Sequence, residues 1–321
     1  MYLQSFGLNR HPFEISPDPY FLFATPRHKE ALASVVHGVM RRKGLMVLTG
    51  EVGTGKTLMV RCLMELLRHR NVATSNVFNP RLNPVEFLQF INTDLGLTVA
   101  NSRNKRSLLL QLYTYLISRQ RANVPTVLIL DEAQNADVEL LEEVRLLTNL
   151  ETAQQKLLQV ILVGQPELDQ QLDSPQLRQL KQRVTIRCSL EPLTDTETMA
   201  YVWQRLQRAG TDLAHASAIF PAASVATIYR YSFGTPRIIN TLCENSLINA
   251  YARQSRVVNE EMVKEVAHDL RLNIRSRAAT DTGLTSQQQV LAQSVLDIMD
   301  VMEKAARRAA TGTIPPGTKI V

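Results

Sequence analysis

The stretch that decides the fold reads LMVLTGEVGTGKT and spans residues 45–57. Its first five residues predict a short buried strand, and residues 56–69 predict a helix with apolar residues at helical spacing. Between them, residues 50–57 match the pattern GxxxxGK[S/T] in full. A buried strand, a glycine-rich loop and a helix in this order predict a phosphate-binding loop within an α/β fold.

Each residue type in this loop has a chemical reason. Glycines let the backbone curl so that its N–H groups face phosphate oxygens, and the helix that follows offers its N-terminus to the same anion. Lys56 places a charge on the β- and γ-phosphates, and Thr57 supplies a hydroxyl to Mg²⁺. The sequence therefore predicts that Mg·ATP binds at Gly50, Glu51, Val52, Gly53, Thr54, Gly55, Lys56, Thr57 and Leu58.

A second apolar strand ends in two carboxylates, because residues 127–130 read VLIL and are followed by Asp131 and Glu132. Ligands of parallel sheets bind at the carboxyl ends of the strands, where this pair would lie. We expect Asp131 to reach the Mg²⁺ shell near Thr57. We expect Glu132 to polarise the water that attacks the γ-phosphate.

Polar and basic residues farther along the chain are further candidates. Gln165 ends a third apolar strand and either hydrogen-bonds the γ-phosphate or the attacking water, or is a turn residue before Pro166. Arg183, with Arg178 as its competitor, is either an arginine supplied to a neighbouring subunit's nucleotide or a solvated surface cation. Arg237 opens a helix, where a cation opposes the helix dipole, and this local cost favours a role near the nucleotide.

Strands and helices alternate up to about residue 190, which indicates a βαβ sheet, and only helices are predicted beyond it. Thr194 followed by Glu197 is a capping-box pattern at the start of the first of these helices. The predicted organisation is a nucleotide-binding domain over 1–191 that includes an N-terminal segment 1–44, a helical lid over 192–272, a linker over 273–289, an amphipathic helix over 290–309 and a mobile tail over 310–321.

The composition is that of an ordinary globular protein, with 45% hydrophobic and 21% charged residues in a chain of 321. Lys and Arg exceed Asp and Glu by six. This excess permits binding to an anionic partner, but it would favour binding only if the cations were concentrated in one surface patch. Three cysteines without a CxxC motif predict neither zinc nor a disulfide framework. The chain carries no signal peptide or membrane-span pattern, so we expect a soluble, cytoplasmic protein with reduced, buried thiols.

Taken together, these residues resemble the AAA+ ATPases, a class of P-loop NTPases. Lys56 matches the first nucleotide-binding motif of that class, and Asp131 with Glu132 matches the second. Gln165 matches sensor 1 and Arg237 matches sensor 2. Arg183 falls where related proteins carry the arginine finger. The resemblance implies ATP hydrolysis in an oligomer whose subunits complete one another's sites.

The resemblance narrows to the ExeA/GspA family of secretion-linked ATPases. Similar segments include FGL at residues 6–8, DEAQ at 131–134, GQPEL at 164–168 and LRQL at 177–180. By analogy with that family, the N-terminal segment 1–44 would border the adenine. ExeA itself continues into a membrane helix and a peptidoglycan-binding domain, and this sequence has neither part. Gln165 also stands where many AAA+ proteins carry Asn or Thr.

The leading hypothesis is an ATP-hydrolysing oligomeric switch, in a ring or a filament, that assembles a secretion or exopolysaccharide-type machinery through a protein partner. The alternative is an ATP-dependent, DNA-binding assembly regulator of the transposon target-selector type. A scaffold that binds ATP without turnover is disfavoured, because Lys56, Asp131 and Glu132 are all present. The helix at 290–309 is expected to pack on protein rather than on a membrane.

Overall fold

A computed structural model describes residues 2–99 and 104–272, which lie in one compact unit. The predicted linker 273–289, helix 290–309 and tail 310–321 fall outside the described residues. Five strands follow the chain in the order β1 Leu45–Gly50, β2 Ala73–Val77, β3 Thr126–Leu130, β4 Leu158–Gly164 and β5 Val184–Leu190.

Eight helices belong to the N-terminal segment and the sheet region. They are α1 Tyr2–Ser5, α2 Pro26–Met40, α3 Lys56–His69, α4 Pro84–Asp94, α5 Lys105–Arg121, α6 Val138–Leu147, α7 Pro166–Leu172 and α8 Arg178–Lys181. The helical region follows β5. It comprises α9 Asp195–Arg208, α10 Leu213–Ile219, α11 Ala222–Ser232, α12 Pro236–Ala252 and α13 Glu260–Asp269.

The five strands form one parallel sheet in the order β2-β3-β4-β1-β5. The central strands β1, β3 and β4 are buried along their whole length, as their unbroken apolar runs predict for a sheet covered on both faces. The edge strand β5 alternates between exposed and half-buried residues. The predicted α/β parallel sheet followed by helices is confirmed.

Residues 2–23 pack on the helical region. Tyr2, Phe6, Phe13 and Phe21 are buried in the same hydrophobic core as α9 to α13, and the ring of Phe13 meets that of Phe220 edge to face at 5.9 Å. The sequence grouped this segment with the nucleotide-binding domain. Its aromatic side chains instead complete a helical core that is otherwise built from residues beyond 190.

Buried polar side chains fix the N-terminal segment in place. Arg205 lies over the ring of Phe21 at 4.7 Å and donates to the carbonyl oxygen of Pro12. The hydroxyl of Tyr2 donates to both carboxylate oxygens of Glu244 at 2.8 Å. Such buried, charge-assisted contacts are costly to break, so the segment belongs to the folded body.

Four helices were not predicted, namely α1, α2, α7 and α10. Three of them span seven residues or fewer, which is too short for a helical period to show. The helix α2 did carry a signal, because Thr25 caps its N-terminus and Pro26 stands at its first position. In residues 2–99 and 104–272, no helix has the length and apolar character needed to cross a membrane.

The three cysteines are free thiols, with Cys62 and Cys243 buried and Cys188 half-buried. Burial raises the pKa of Cys62 to about 12 and that of Cys188 to about 11. A thiol with so high a pKa carries almost no thiolate at neutral pH, so these groups are packing residues.

Candidate functional site

The phosphate-binding loop joins the end of β1 to the start of α3, as predicted. Gly53 and Gly55 take φ values of +80° and +100°, in the left-handed region that other residues avoid. No side chain caps α3, whereas Thr25 caps α2 and Asn83 caps α4. The first N–H groups of α3 therefore have no side-chain acceptor, and a Cβ on Gly55 would meet nothing within 4 Å. This geometry fits an anion at the helix N-terminus.

Lys56 is buried at the foot of this loop, with 6% of its surface exposed. Its Nζ donates to the carbonyl oxygens of Gly50 at 2.8 Å and Glu51 at 3.1 Å. Burial lowers the pKa of the ammonium, and the nearby carboxylates of Glu132 and Asp131 partly restore it. In the structure, the ammonium of Lys56 therefore lies close enough to the carboxylates of Asp131 and Glu132 for their charges to interact.

Asp131 follows β3 at the carboxyl edge of the sheet, where its backbone N–H donates to the carbonyl oxygen of Val77 at 2.9 Å. The side chain is 7% exposed, and its Oδ1 accepts from the N–H of Glu132 at 2.9 Å. Burial raises the pKa of Asp131 despite that hydrogen bond. A buried carboxylate and the exposed hydroxyl of Thr57 are hard oxygen donors that suit Mg²⁺.

Glu132 is held by two glutamines. Its Oε2 accepts from Nε2 of Gln134 at 2.6 Å and from Nε2 of Gln165 at 3.2 Å. Oε1 of Gln134 in turn accepts the backbone N–H of Gln165 at 3.1 Å. Gln165 thus reaches the predicted base directly, whereas Gln134 was seen in the sequence only as part of a similar segment.

Arg237 lies beside the loop. Its backbone N–H donates to the carbonyl oxygen of Gly53 at 3.2 Å, and its side chain is exposed. A Cβ on Gly53 would lie 2.8 Å from the Cβ of Arg237 and 3.0 Å from Cγ2 of Thr235. The start of α12 therefore rests directly on the phosphate-binding loop.

His28 contacts the loop at the backbone of Thr54 and was not identified from the sequence. It lies in the first turn of α2, where its Nδ1 is 2.7 Å from Oγ1 of Thr25. Burial lowers the pKa of the imidazole, while a hydrogen bond with the Thr54 backbone and the charge of Glu197 raise it. A lone histidine in a polar helix start has no pattern that marks it as a loop contact.

Arg183 and Arg178 precede β5, at the amino edge of the sheet. Arg183 donates to Oγ1 of Thr148 at 3.2 Å, and Arg178 is exposed. Val184 pairs with Leu45 at the first residue of β1, whereas the loop begins at the last, so the backbone of Arg183 lies about 20 Å from its own loop. The structure therefore does not bring Arg183 to the site of its own subunit, and Arg178 lies at the start of α8, five residues earlier.

Comparison with known proteins adds the family context. Residues 39–172 match the family model of an AAA domain. The chain is 40% identical over 284 residues to general secretion pathway protein A of Aeromonas hydrophila. This alignment covers 88% of this chain and 51% of that protein. The chain thus spans about half the length of the curated relative that it matches.

Solved structures share the fold. The ORC2 protein of Aeropyrum pernix in ADPNP and ADP complexes aligns with a TM-score of 0.60 and 16% identity over 81% of this chain and 72% of that one. Drosophila ORC bound to DNA aligns with a TM-score of 0.60 and 18% identity over 84% of this chain and 66% of that one. At such identities the likeness concerns the fold alone.

Proposed function

Since this chain is a member of the AAA ATPases similar to general secretion pathway protein A, we propose that it binds and hydrolyses Mg·ATP at the loop of residues 50–57. The observation that carries the proposal is the burial of Lys56 beside the uncapped start of α3, with Asp131 and Glu132 close enough to shift its pKa. A lysine, an acidic pair and a free helix N-terminus are what phosphoryl transfer requires.

Each residue has a distinct role in this proposal. The N–H groups of the loop and Lys56 would bind the phosphates, and Thr57 with Asp131 would hold Mg²⁺, which neutralises phosphate charge when bound. Glu132 would orient the attacking water and accept its proton, and Gln165 would position Glu132 through their hydrogen bond. Arg237 would contact the nucleotide from the helical region.

The contact between α12 and Gly53 supports a switch. Phosphates bound in the loop would strengthen or weaken the hydrogen bond from the N–H of Arg237 to the carbonyl oxygen of Gly53. The helical region, which begins at this contact, would then change its position. A ligand shifts such an equilibrium only by its differential affinity for the two positions. We propose that the γ-phosphate supplies this difference in affinity.

The likeness to the Aeromonas protein supports a proposal for the assembly and its client. The Aeromonas protein bears a secretion-pathway name, and we propose that this chain serves a secretion or exopolysaccharide-type machinery in the cytoplasm, as a homo-oligomer with a protein partner. The location of Arg183 at the amino edge, away from its own loop, supports an arginine given to the next subunit.

Calorimetry and an ATPase assay with two variants test this function. Lys56→Ala should abolish Mg·ATP binding, because the phosphate charge is no longer countered. Glu132→Gln should keep binding and lose about 100-fold or more in turnover, the usual contribution of a general base. Wild-type protein that takes up no Mg·ATP would refute the proposal, and unchanged turnover in Glu132→Gln would remove Glu132 as the base.

A further inference from the structure

The amino edge of the sheet carries a concentration of cations that the nucleotide site does not use. Three turns lie there, each taken together with the last residues of the helix before it and leading to the start of a strand. They are residues 40–44 before β1, 68–72 before β2 and 119–124 before β3. We call these three turns the basic edge. Its cations are Arg41, Arg42, Lys43, Arg68, Arg70, Arg119 and Arg121.

Side-chain contacts join the three turns into one surface. Nη2 of Arg42 donates to Oδ1 of Asn123 at 3.4 Å, which joins the first turn to the third. Nη2 of Arg119 donates to the carbonyl oxygen of Asn71 at 3.0 Å, which joins the third turn to the second. The cations are therefore neighbours in space, although about 80 residues of sequence separate them.

The positive charge of this surface is not neutralised locally. The three turns contain no Asp or Glu, and within the described parts of the chain no carboxylate forms an ion pair with their seven cations. The nearest acidic residue along the chain is Glu65 in α3, three residues before Arg68, and Glu151 in the turn before β4 pairs with Lys156. Seven charges exceed the net charge of +6 of the whole chain.

Cations at helix C-termini also stabilise the helix dipole, and this alone would explain one or two of them. Two observations point to a ligand as well. Six of the seven cations are arginines, whose planar fork fits phosphate oxygens. Arg42 and Arg119 are half-buried without an acidic partner, and burial lowers the pKa of Arg42. Keeping these guanidinium groups charged therefore lowers the stability of the folded chain.

The dimensions of the basic edge favour a polymer of phosphates. From β2 to β1 the sheet spans three strand spacings, or about 14 Å. Duplex DNA carries one charge per ~1.7 Å, so about eight phosphate charges fit this distance. A membrane surface would call for apolar or aromatic side chains beside the cations. Met40 is the one large apolar side chain exposed in these turns, all of which the structure describes.

We propose that the basic edge binds the phosphate backbone of duplex DNA without reading its sequence. Arg183 precedes β5 at the same edge, next to β1, and is not counted among these seven cations. The basic edge is at the opposite edge from the phosphate-binding loop. DNA binding here does not depend on the proposed ATPase function, and it is measured without nucleotide.

Fluorescence anisotropy with a labelled duplex of about 30 base pairs tests the proposal. Wild-type protein should bind with a slope of log K against log salt of about −4 to −6, because each neutralised phosphate contributes about −0.9. The variant Arg41→Gln/Lys43→Gln/Arg70→Gln/Arg121→Gln changes four exposed side chains. It should bind at least about tenfold more weakly, with a slope shallower by about 3 to 4.

A second variant of equal charge change is the matched control. Arg253→Gln/Arg256→Gln/Lys264→Gln/Arg271→Gln removes four exposed cations of the helical region and should keep the wild-type affinity within about threefold. An equal loss in both variants would overturn the proposal, because net charge alone would then explain binding. The proposal would also be overturned if the wild-type protein did not bind DNA. Binding to vesicles of anionic lipid through the same residues, without binding to DNA, would count as this outcome.

Unchanged melting temperatures of both variants would establish that they fold. Mg·ATP uptake, measured separately, distinguishes the two proposals. A chain that binds DNA through the basic edge and takes up no nucleotide would refute only the ATPase function. A chain that takes up Mg·ATP and does not bind DNA would refute only this inference.

Discussion

Gln134 touches both the candidate base and the strand that follows it, through Oε2 of Glu132 and the backbone N–H of Gln165. We expect Gln134→Ala to lower kcat about tenfold, or ~1.4 kcal/mol in the barrier. The reason is that the carboxylate of Glu132 loses its shorter hydrogen bond and samples other rotamers. The affinity for Mg·ATP should stay unchanged, because the side-chain hydrogen bonds of Gln134 go to Glu132 and Gln165 and not to the loop.

Steady-state hydrolysis and calorimetric titration measure the two quantities. Gln179→Ala, at an exposed position of α8, is the matched glutamine control and should leave both unchanged. Equal losses of kcat and affinity in Gln134→Ala would show that this residue supports the fold of the site rather than the orientation of Glu132.

His28 should make stability depend on pH. Burial lowers the pKa of its imidazole in the folded chain below the ordinary value of 6.5. As pH falls through 6.5, the unfolded chain binds a proton that the folded chain resists, so the free energy of unfolding decreases toward the folded pKa. Acidification should therefore destabilise the wild-type protein more than His28→Asn.

Thermal unfolding at several pH values between about 7.5 and 5.5 measures this difference. Burial raises the pKa of Asp131, so protonation of this carboxylate stabilises the folded chain as the pH falls further. Both proteins contain Asp131, so its effect on stability cancels in the comparison. Parallel melting curves for the two proteins across this range would contradict the role assigned to His28.

The sequence identified the residues whose chemistry is carried by a motif, such as Lys56 and Asp131, and the structure brings both to one edge of the sheet. It did not identify Gln134 or His28. The contact of Gln134 with Gln165 arises only when β3 and β4 pair in the observed register, with Leu130 beside Leu162. No local pattern specifies such a pairing.

At the scale of elements, the loop before α3 packs directly against the start of α12, with no room for an added side chain at Gly53. Ala at Gly53 or Gly55 would incur about 1–2 kcal/mol of left-handed backbone strain. Only at Gly53 would the new Cβ also meet α12, at 2.8 Å from the Cβ of Arg237. We expect Gly53→Ala to melt several degrees below Gly55→Ala, at about 2–4 °C per kcal/mol.

Thermal unfolding of both variants without nucleotide makes this comparison, and each serves as the control for the other. Equal melting temperatures would mean that α12 moves away from the loop at little cost. The contact with Gly53 would then contribute little to the coupling that we propose between the loop and the helical region.

The strands were predictable because unbroken apolar runs are typical of a doubly covered parallel sheet, and the apolar run at 127–130 lies within β3, Thr126–Leu130. Helix ends were less predictable. In the sequence, apolar residues at helical spacing continue from Leu140 to Leu150 and predict a helix to that residue. The helix α6 ends at Leu147, because Leu150 belongs to the turn that leads toward β4. Apolar periodicity continues through such a turn and does not show where helical hydrogen bonding stops.

At the scale of the whole molecule, the amino-edge location of Arg183 predicts complementation between subunits. Arg183→Ala should lose hydrolysis while keeping Mg·ATP binding, and Lys56→Ala should lose both. Mixed in equal amounts, the two inactive proteins should recover roughly a quarter of wild-type activity, since a random oligomer joins an intact loop to an intact arginine at that frequency.

An ATPase titration of one variant into the other measures this recovery. Arg178→Ala in place of Arg183→Ala is the matched arginine control and should hydrolyse ATP on its own. Absence of recovery, in a mixture that sizing shows to be oligomeric, would refute an arginine supplied by the neighbour. Recovery with Arg178→Ala instead would assign the role to that residue.

The buried contact between Tyr2 and Glu244 joins residues that lie 242 apart in the chain. During synthesis at about 5–20 residues per second, the first aromatic side chains must wait roughly 10 to 50 s before α12 leaves the ribosome. Throughout that interval the aromatic side chains of residues 2–23 have no core to pack against. Chaperones that bind exposed apolar segments of nascent chains should therefore have a large effect on the yield of native protein.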